Sequence, residues 1–317
     1  MNAKREGMRD PERPSAVIWS VLICVFLAWI TYHLKVATTP AWTDGTLELV
    51  HERLLASEYF NNEQSRLLQF GIPEAIHRTF GTDLRRSYAL QRLVFTASAL
   101  FLFFRYTRRW LDDAAAYAVT ILFALSIAFT ARNDLQESAP LLACTFIGAV
   151  WAMREERWWI CAGITWLGAF NNETILFIPV LIVLTGVHDR SLPHLAQVLG
   201  RAATVAAPAY LTVAVIRYAT RELPYLGGGW HPVENLMALD SVLLFLGPFW
   251  LLAFWRFREL PRFLQRALLA TPLFLLPNML IGQIAETRLL LPLCFFVLPA
   301  ALWTLLPTAR RDQGLTA

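Results

Sequence analysis

Ten apolar runs follow one another along the chain, at residues 16–34, 88–106, 114–130, 138–153, 158–170, 172–187, 198–218, 240–257, 267–285 and 289–306, with short polar breaks between most of them. At about 1.5 Å of rise per residue, most of these runs suit helices crossing a hydrocarbon core of roughly 30 Å. The pattern predicts an all-α polytopic membrane protein of about ten spans, with 1–317 forming a single transmembrane domain. The one long polar segment, 35–87, has a periodicity of its own. Leu47, Val50, Leu54 and Leu55 recur at helical spacing, with Glu48, His51, Glu52 and Glu58 on the other face. A second amphipathic stretch runs through Leu67, Leu68, Phe70, Ile72, Ile76 and Phe80, and Gly71 and Pro73 are expected to break it. Two short helices lying on the membrane surface are predicted. A second large loop, 219–239, carries Pro224, Gly227, Gly228, Gly229 and Pro232, which suits either a mobile lid or a plain connector.

The breaks sort by charge. The N-terminus and the breaks near 107–113, 154–157, 188–197, 256–266 and 307–317 are rich in arginine, whereas the short breaks of the other set hold mainly Arg132, Arg221 and Arg288. Positively charged loops stay cytoplasmic, so both termini are predicted inside, with 35–87 and 219–239 outside. The first run, followed by no clean cleavage site, is read as an uncleaved anchor. Composition agrees: 56% of the 317 residues are hydrophobic and only 16% are charged, and mean hydropathy is +0.44. Those values exclude an ordinary soluble domain. The net charge of +4 belongs to loop topology, and no nucleic-acid partner is indicated. Tryptophans at span ends, such as Trp19, Trp42, Trp110, Trp158 and Trp230, fit an interfacial belt. The four cysteines lie far apart inside apolar runs, which indicates neither a disulfide framework nor a zinc site.

The candidate chemistry lies in the outward breaks. Asp44 follows the first span; it can cap the helix after it or take a proton from a hydroxyl, and one residue can do both. The turn Arg132–Glu137 packs Arg132, Asn133, Asp134, Gln136 and Glu137 together at the membrane boundary, where charges are expensive unless solvated or paired. Glu173 punctuates an otherwise nearly uncharged stretch from Trp158 to Val187, as either a polar turn or a functional charge. Glu286 and Arg288 open the last span, as an interfacial pair or as a phosphate-binding arginine with its neighbour. His231 sits on the glycine loop, within reach of a substrate or simply at the surface. The six histidines form no ligand cluster, and no phosphate-binding glycine loop, dinucleotide fingerprint or serine-hydrolase elbow appears.

Four stretches together resemble the GT-C superfamily, the polytopic membrane glycosyltransferases that use polyprenyl-phosphate sugars and include relatives of protein mannosyltransferases. They are Thr38-Thr39-Pro40-Ala41-Trp42-Thr43-Asp44-Gly45 before an amphipathic helix; Phe80-Gly81 leading to Arg92-Leu93 and Arg105-Tyr106-Thr107-Arg108-Arg109-Trp110; Arg132-Asn133-Asp134; and Glu286-Thr287-Arg288-Leu289-Leu290-Leu291-Pro292. The chain departs from the family in having Gly45 where an acidic residue often follows the first aspartate, and in lacking a His-Pro-Pro-Leu stretch. The resemblance implies a GT-C-like fold in a bacterial plasma membrane, with the active face outward. It implies a polyprenyl-phosphate sugar donor, a lipid, glycan or protein acceptor, and no cofactor; a divalent metal is possible but not indicated. It implies Asp44 as base, Asp134 orienting the acceptor, Arg288 and Arg132 on the phosphate, and Glu173, Glu286 and His231 on the substrate, with inversion at the anomeric carbon. The alternatives are a transporter or flippase, a polysaccharide polymerase, and an assembly subunit without activity.

Overall fold

The computed structural model describes residues 14–130, 135–189, 191–224, 230–282 and 284–310. It is 82% helical, with no strands among the described residues. The helices in chain order are α1 (Pro14–Thr38), α2 (Thr46–Leu55), α3 (Asn61–Gln64), α4 (Leu67–Phe80), α5 (Leu84–Thr107), α6 (Asp113–Thr130), α7 (Ser138–Arg154), α8 (Trp158–Ala169), α9 (Ile178–Gly186), α10 (Leu192–Ala219), α11 (Pro232–Met237), α12 (Leu239–Leu246), α13 (Pro248–Trp255), α14 (Arg262–Leu269), α15 (Thr271–Ile281) and α16 (Cys294–Leu305). Short 3-10 segments precede α9 (Glu173–Phe177) and α16 (Thr287–Leu293).

Each of the ten apolar runs is helical, yet among the described residues six segments are long and apolar enough to cross a membrane: α1, α5, α6, α10, Arg262–Leu280 and Thr287–Leu305. α7, α8 and Glu173–Gly186 are shorter apolar helices. The run at 240–257 is interrupted at Gly247, whose φ of +49° turns the chain between α12 and α13. Large apolar side chains such as Trp159, Leu192, Leu244, Leu251 and Trp255 are fully outward-facing, a surface that suits lipid and not water.

Burial follows the residue pattern. In α16 every residue from Cys294 to Thr304 is buried, as expected of a helix apolar on all sides, and it forms the centre of the bundle. Phe295 meets Phe103, Phe123 and Phe146 with ring centroids 5.4, 5.0 and 5.8 Å away. α1 buries only Ser20, Cys24, Ala28, Thr31 and Lys35, one stripe of mostly small residues that lets it approach α5 closely.

The polar segment after α1 folds as the first amphipathic pattern anticipates: Leu47, Val50 and Leu54 are buried, although Leu55 is exposed. His51, assigned to the polar face, is buried instead, because Nδ1 pairs with the Tyr88 hydroxyl at 2.9 Å and Nε2 with Glu74 at 3.0 Å. The expected break at Gly71 and Pro73 is absent, and α4 runs unbroken through both. Pro73 has no N–H to offer the carbonyl of Gln69, and the Gln91 side chain of α5 donates to that carbonyl at 3.3 Å.

Candidate functional site

A cavity of about 560 Å³ opens between α9, α10, α15 and the segment before α16, roofed by the loop around α3. Its lining has a direction. Along the chain from Asn171 to Val180, the polar residues Asn171, Asn172, Glu173 and Thr174 come first, and Leu176, Phe177 and Val180 follow deeper. α10, running the opposite way, gives Tyr210, Val213 and Ile216 before Arg217, and α15 gives Leu273, Phe274 and Pro277 before Asn278. Glu286 precedes Leu289 in the same sense. Four elements therefore place polar groups at the roof end and apolar groups below. The roof supplies Asn62, Ser65 and Arg66.

The roof is stitched to the walls. The Leu68 amide donates to the Phe170 carbonyl at 3.1 Å, and the Asn61 amide to the Pro224 carbonyl at 2.8 Å. The Asn61 side chain donates to the Thr220 hydroxyl at 3.1 Å and accepts from Arg217. At the inner end, Arg266 of α14 donates to the Thr185 carbonyl at 2.9 Å, and the rings of Phe177 and Phe274 stand 4.9 Å apart.

Two ionic groups border the polar end. On one side, Arg288 donates to Glu286 Oε2 through Nε at 3.1 Å and Nη2 at 3.0 Å, and its Nη2 lies 3.5 Å from Glu63 Oε1. Arg66 donates to the same Glu63 oxygen at 2.8 Å, and Gln69 donates to Glu63 Oε2 at 3.1 Å. Across the cavity, Arg217 pairs with Glu173. The helix start orients Glu173's turn, with Asn172 Oδ1 accepting from the Thr174 amide at 2.9 Å.

Of the residues singled out in the sequence, Glu173 and Glu286 line the cavity, and Arg288, itself buried outside the lining, pairs with Glu286. Asp44 does not line the cavity. It is fully exposed and accepts from the Thr46 amide at 2.9 Å, and its hydrogen bonds to Thr46 hold its carboxyl below the usual value. His231 is half-buried at the start of α11, where its amide donates to the Leu280 carbonyl at 3.1 Å, and it does not line the cavity either. Arg132, Asp134 and the three consecutive glycines 227–229 lie outside the described residues. Glu63, Arg66 and Arg217 escaped the sequence reading; two of them form an ordinary-looking i,i+3 pair, and Arg217 lies far along the chain.

A second ionic cluster, also unforeseen, is sealed inside the bundle. Arg92 of α5 and Glu137 at the start of α7 are 0% exposed and hydrogen-bonded; Lys35 of α1, 1% exposed, has Nζ 3.8 Å from Glu137 Oε1. Arg92 also donates to the Thr31 carbonyl at 3.2 Å. Glu137 adopts a left-handed φ of +62°, a conformation unfavourable for any residue with a Cβ by about 1–2 kcal/mol. A lone arginine inside an apolar run was the available signal. Among the described residues no group of three or more His, Cys, Asp and Glu side chains is placed to hold a metal ion. Compared with family models, with curated proteins and with solved structures, the chain matches none of them.

Proposed function

We propose that this membrane protein is a glycosyltransferase that moves a sugar from a polyprenyl-phosphate donor to a hydroxyl of a lipid, glycan or protein acceptor at the outer face of a bacterial plasma membrane. The observation that carries this reading is the polarity gradient of the cavity, apolar below and charged at the roof, which suits an amphiphile with an anionic head. The prenyl chain would run along Phe177, Val213, Phe274 and Pro277. Arg288 and Arg66 would take the phosphate, with Asn172, Glu173 and Asn278 around the sugar.

The acceptor oxygen attacks the anomeric carbon as the bond from that carbon to the phosphate oxygen breaks, which inverts the centre. The electron pair leaves on the phosphate, where the guanidinium groups meet the growing charge. The acceptor's proton passes to a carboxylate, and we assign that role to Glu286, which borders the cavity. Asp44, exposed and with its proton affinity already lowered, suits a general base poorly.

The test is transfer by the reconstituted protein from short-chain prenyl-phosphate sugars to a lipid-extract acceptor pool. Glu286→Gln and Arg288→Ala are expected to lose about 10²-fold or more, whereas Asp44→Asn retains transfer. Asp134→Asn belongs in the same series. Full transfer by Glu286→Gln would refute the assignment. The break at Gly247 favours a second reading, passage of a solute, since interrupted helices are common in transporters. Solute flux in liposomes without transfer would establish that reading, although Gly247 does not line the cavity.

A further inference from the structure

Far from the cavity roof, the turn between α7 and α8 meets the first half of α10. Arg201 lies about 24 Å before Arg217 along α10, at about 1.5 Å of rise per residue. Arg157 stands at the same end, because α8 runs from Trp158, its neighbour in the chain, to Ala169 beside the cavity, packing along α10 as it goes.

The arginines stacked on aromatic rings fall into two groups. Arg108, Arg221 and Arg310 each lie over a ring and also hold a carboxylate, Asp113, Glu222 and Glu259 in turn. Arg154, Arg157 and Arg201 have no carboxylate partner among the described residues. Arg154 is packed onto Phe263 and the buried Trp110. The other two stand at the lipid-facing surface. The Arg157 guanidinium carbon lies 5.5 Å from the Trp151 ring and that of Arg201 lies 4.7 Å from the Trp158 ring. Both indoles pack against the core of the bundle, so each guanidinium rests on a fixed plate. None of the guanidinium N–H groups of Arg157 or Arg201 has an acceptor among the described residues. Of the two carboxylates in the turn, Glu155 is taken by Arg109, and Glu156 forms no ion pair among the described residues.

Apolar side chains flank these cations. Trp159, Ile160 and Leu199 all point outward. A soluble anion gains nothing from apolar surface beside its site, whereas a phospholipid lays its acyl chains there while its phosphate meets the guanidinium edges.

We infer that Arg157 and Arg201 form a docking site for the headgroup of an anionic phospholipid, on the membrane face opposite the cavity roof. The charge of the breaks predicts this face to be cytoplasmic, where anionic lipids draw basic groups to the surface. The lipid joins the start of α8 to α10, the two helices that lead to the Glu173 turn and to Arg217 at the cavity. The inference does not depend on the glycosyl-transfer reading.

The experiment is native mass spectrometry of the full chain, delipidated in detergent and titrated with phosphatidylglycerol or with phosphatidylcholine. Wild type is expected to bind phosphatidylglycerol about 20-fold more tightly, the preference that two arginines at a membrane surface supply. Arg157→Gln/Arg201→Gln is expected to bring the two lipids near parity. Arg157→Gln alone, at an exposed side chain, should lower the preference about fivefold. Arg258→Gln/Arg262→Gln removes two exposed arginines that have no ring contact, and should keep it. Millimolar inorganic phosphate should leave the lipid bound. Equal affinity for the two lipids in wild type, a preference undiminished in the Arg157 variants, an equal loss in the Arg258 and Arg262 control, or displacement by inorganic phosphate would each overturn the inference.

Discussion

Glu137→Gln removes a carboxylate that lies between two buried cations. In the folded protein Arg92 hydrogen-bonds Glu137, and Lys35 stands 3.8 Å from its other oxygen, all three sealed from solvent. Removing one member of a buried pair typically destabilises by about 3–5 kcal/mol, because the charge left behind has lost its solvation and its partner. Here Arg92 loses its hydrogen-bonded carboxylate and Lys35 the carboxylate 3.8 Å from it, so the upper part of that range applies. At roughly 2–4 °C per kcal/mol for a large domain, the midpoint of thermal unfolding should fall by roughly 10 °C or more. Arg92→Met leaves Lys35 beside Glu137 at longer range and should follow next. Lys35→Met leaves the hydrogen-bonded Arg92–Glu137 pair intact and should stay within about 1 kcal/mol of wild type. The assay is loss of the monodisperse peak on size exclusion after heating in detergent, with tryptophan fluorescence as the readout. A Glu137→Gln protein as heat-resistant as wild type, or the reverse order of the three variants, would refute the reasoning.

Gly168→Ala places a Cβ 2.8 Å from Ile175 Cγ1 and 3.2 Å from Thr145 Oγ1, so the 3-10 segment carrying Glu173 must shift. A loss of about 1–3 kcal/mol is expected, together with a raised KM in the transfer assay. Gln91→Leu strips the donor from the buried Gln69 carbonyl that Pro73 leaves unmet, and should lower stability by about 1–3 kcal/mol; an unchanged melting midpoint would show that water takes the donor's place. Glu74 is held below the ordinary glutamate value chiefly by its hydrogen bond to His51. A depressed folded-state value contributes stability that is present above the ordinary range and lost as pH falls through it. The difference in melting midpoint between wild type and Glu74→Gln should therefore hold near neutrality and shrink as pH falls below the ordinary glutamate range, and a pH-independent difference would contradict the linkage.

What could be read in advance and what could not divide along a physical line. Apolar runs announce helices because the bilayer leaves few other ways to satisfy the backbone, and all ten were helical. Helix length was less legible: a run continues through Gly247 or through the Phe170–Asn172 turn without any change in hydropathy, although the helix ends there. Local chemistry misled at Pro73, where propensity argues for a break and a glutamine from another helix supplies the missing donor. Glu173 and Glu286, which line the cavity, stood out in the sequence because a single charge in an apolar setting has few harmless explanations. Glu63 and Arg66 were missed because the surrounding loop is polar, and nothing in their spacing reveals that Arg288 lies against them. Asp44 was ranked high from its place after the first span, yet its visible task is local, at the start of α2.

The two ionic clusters use the same residue types and differ in access, and that difference assigns their roles. Arg92 and Glu137, with no exposed surface, cannot trade partners without stranding a charge in apolar surroundings, at a penalty of several kcal/mol. The pair ties α5 to the start of α7, and Lys35 brings α1 against it. Glu286, 35% exposed, lines the cavity, while its partner Arg288 is 10% exposed, so solvent screens only one side of the pair. The carboxylates of Glu173 and Glu286 are thus open to the cavity, whereas the Arg92–Glu137 pair is closed off from it.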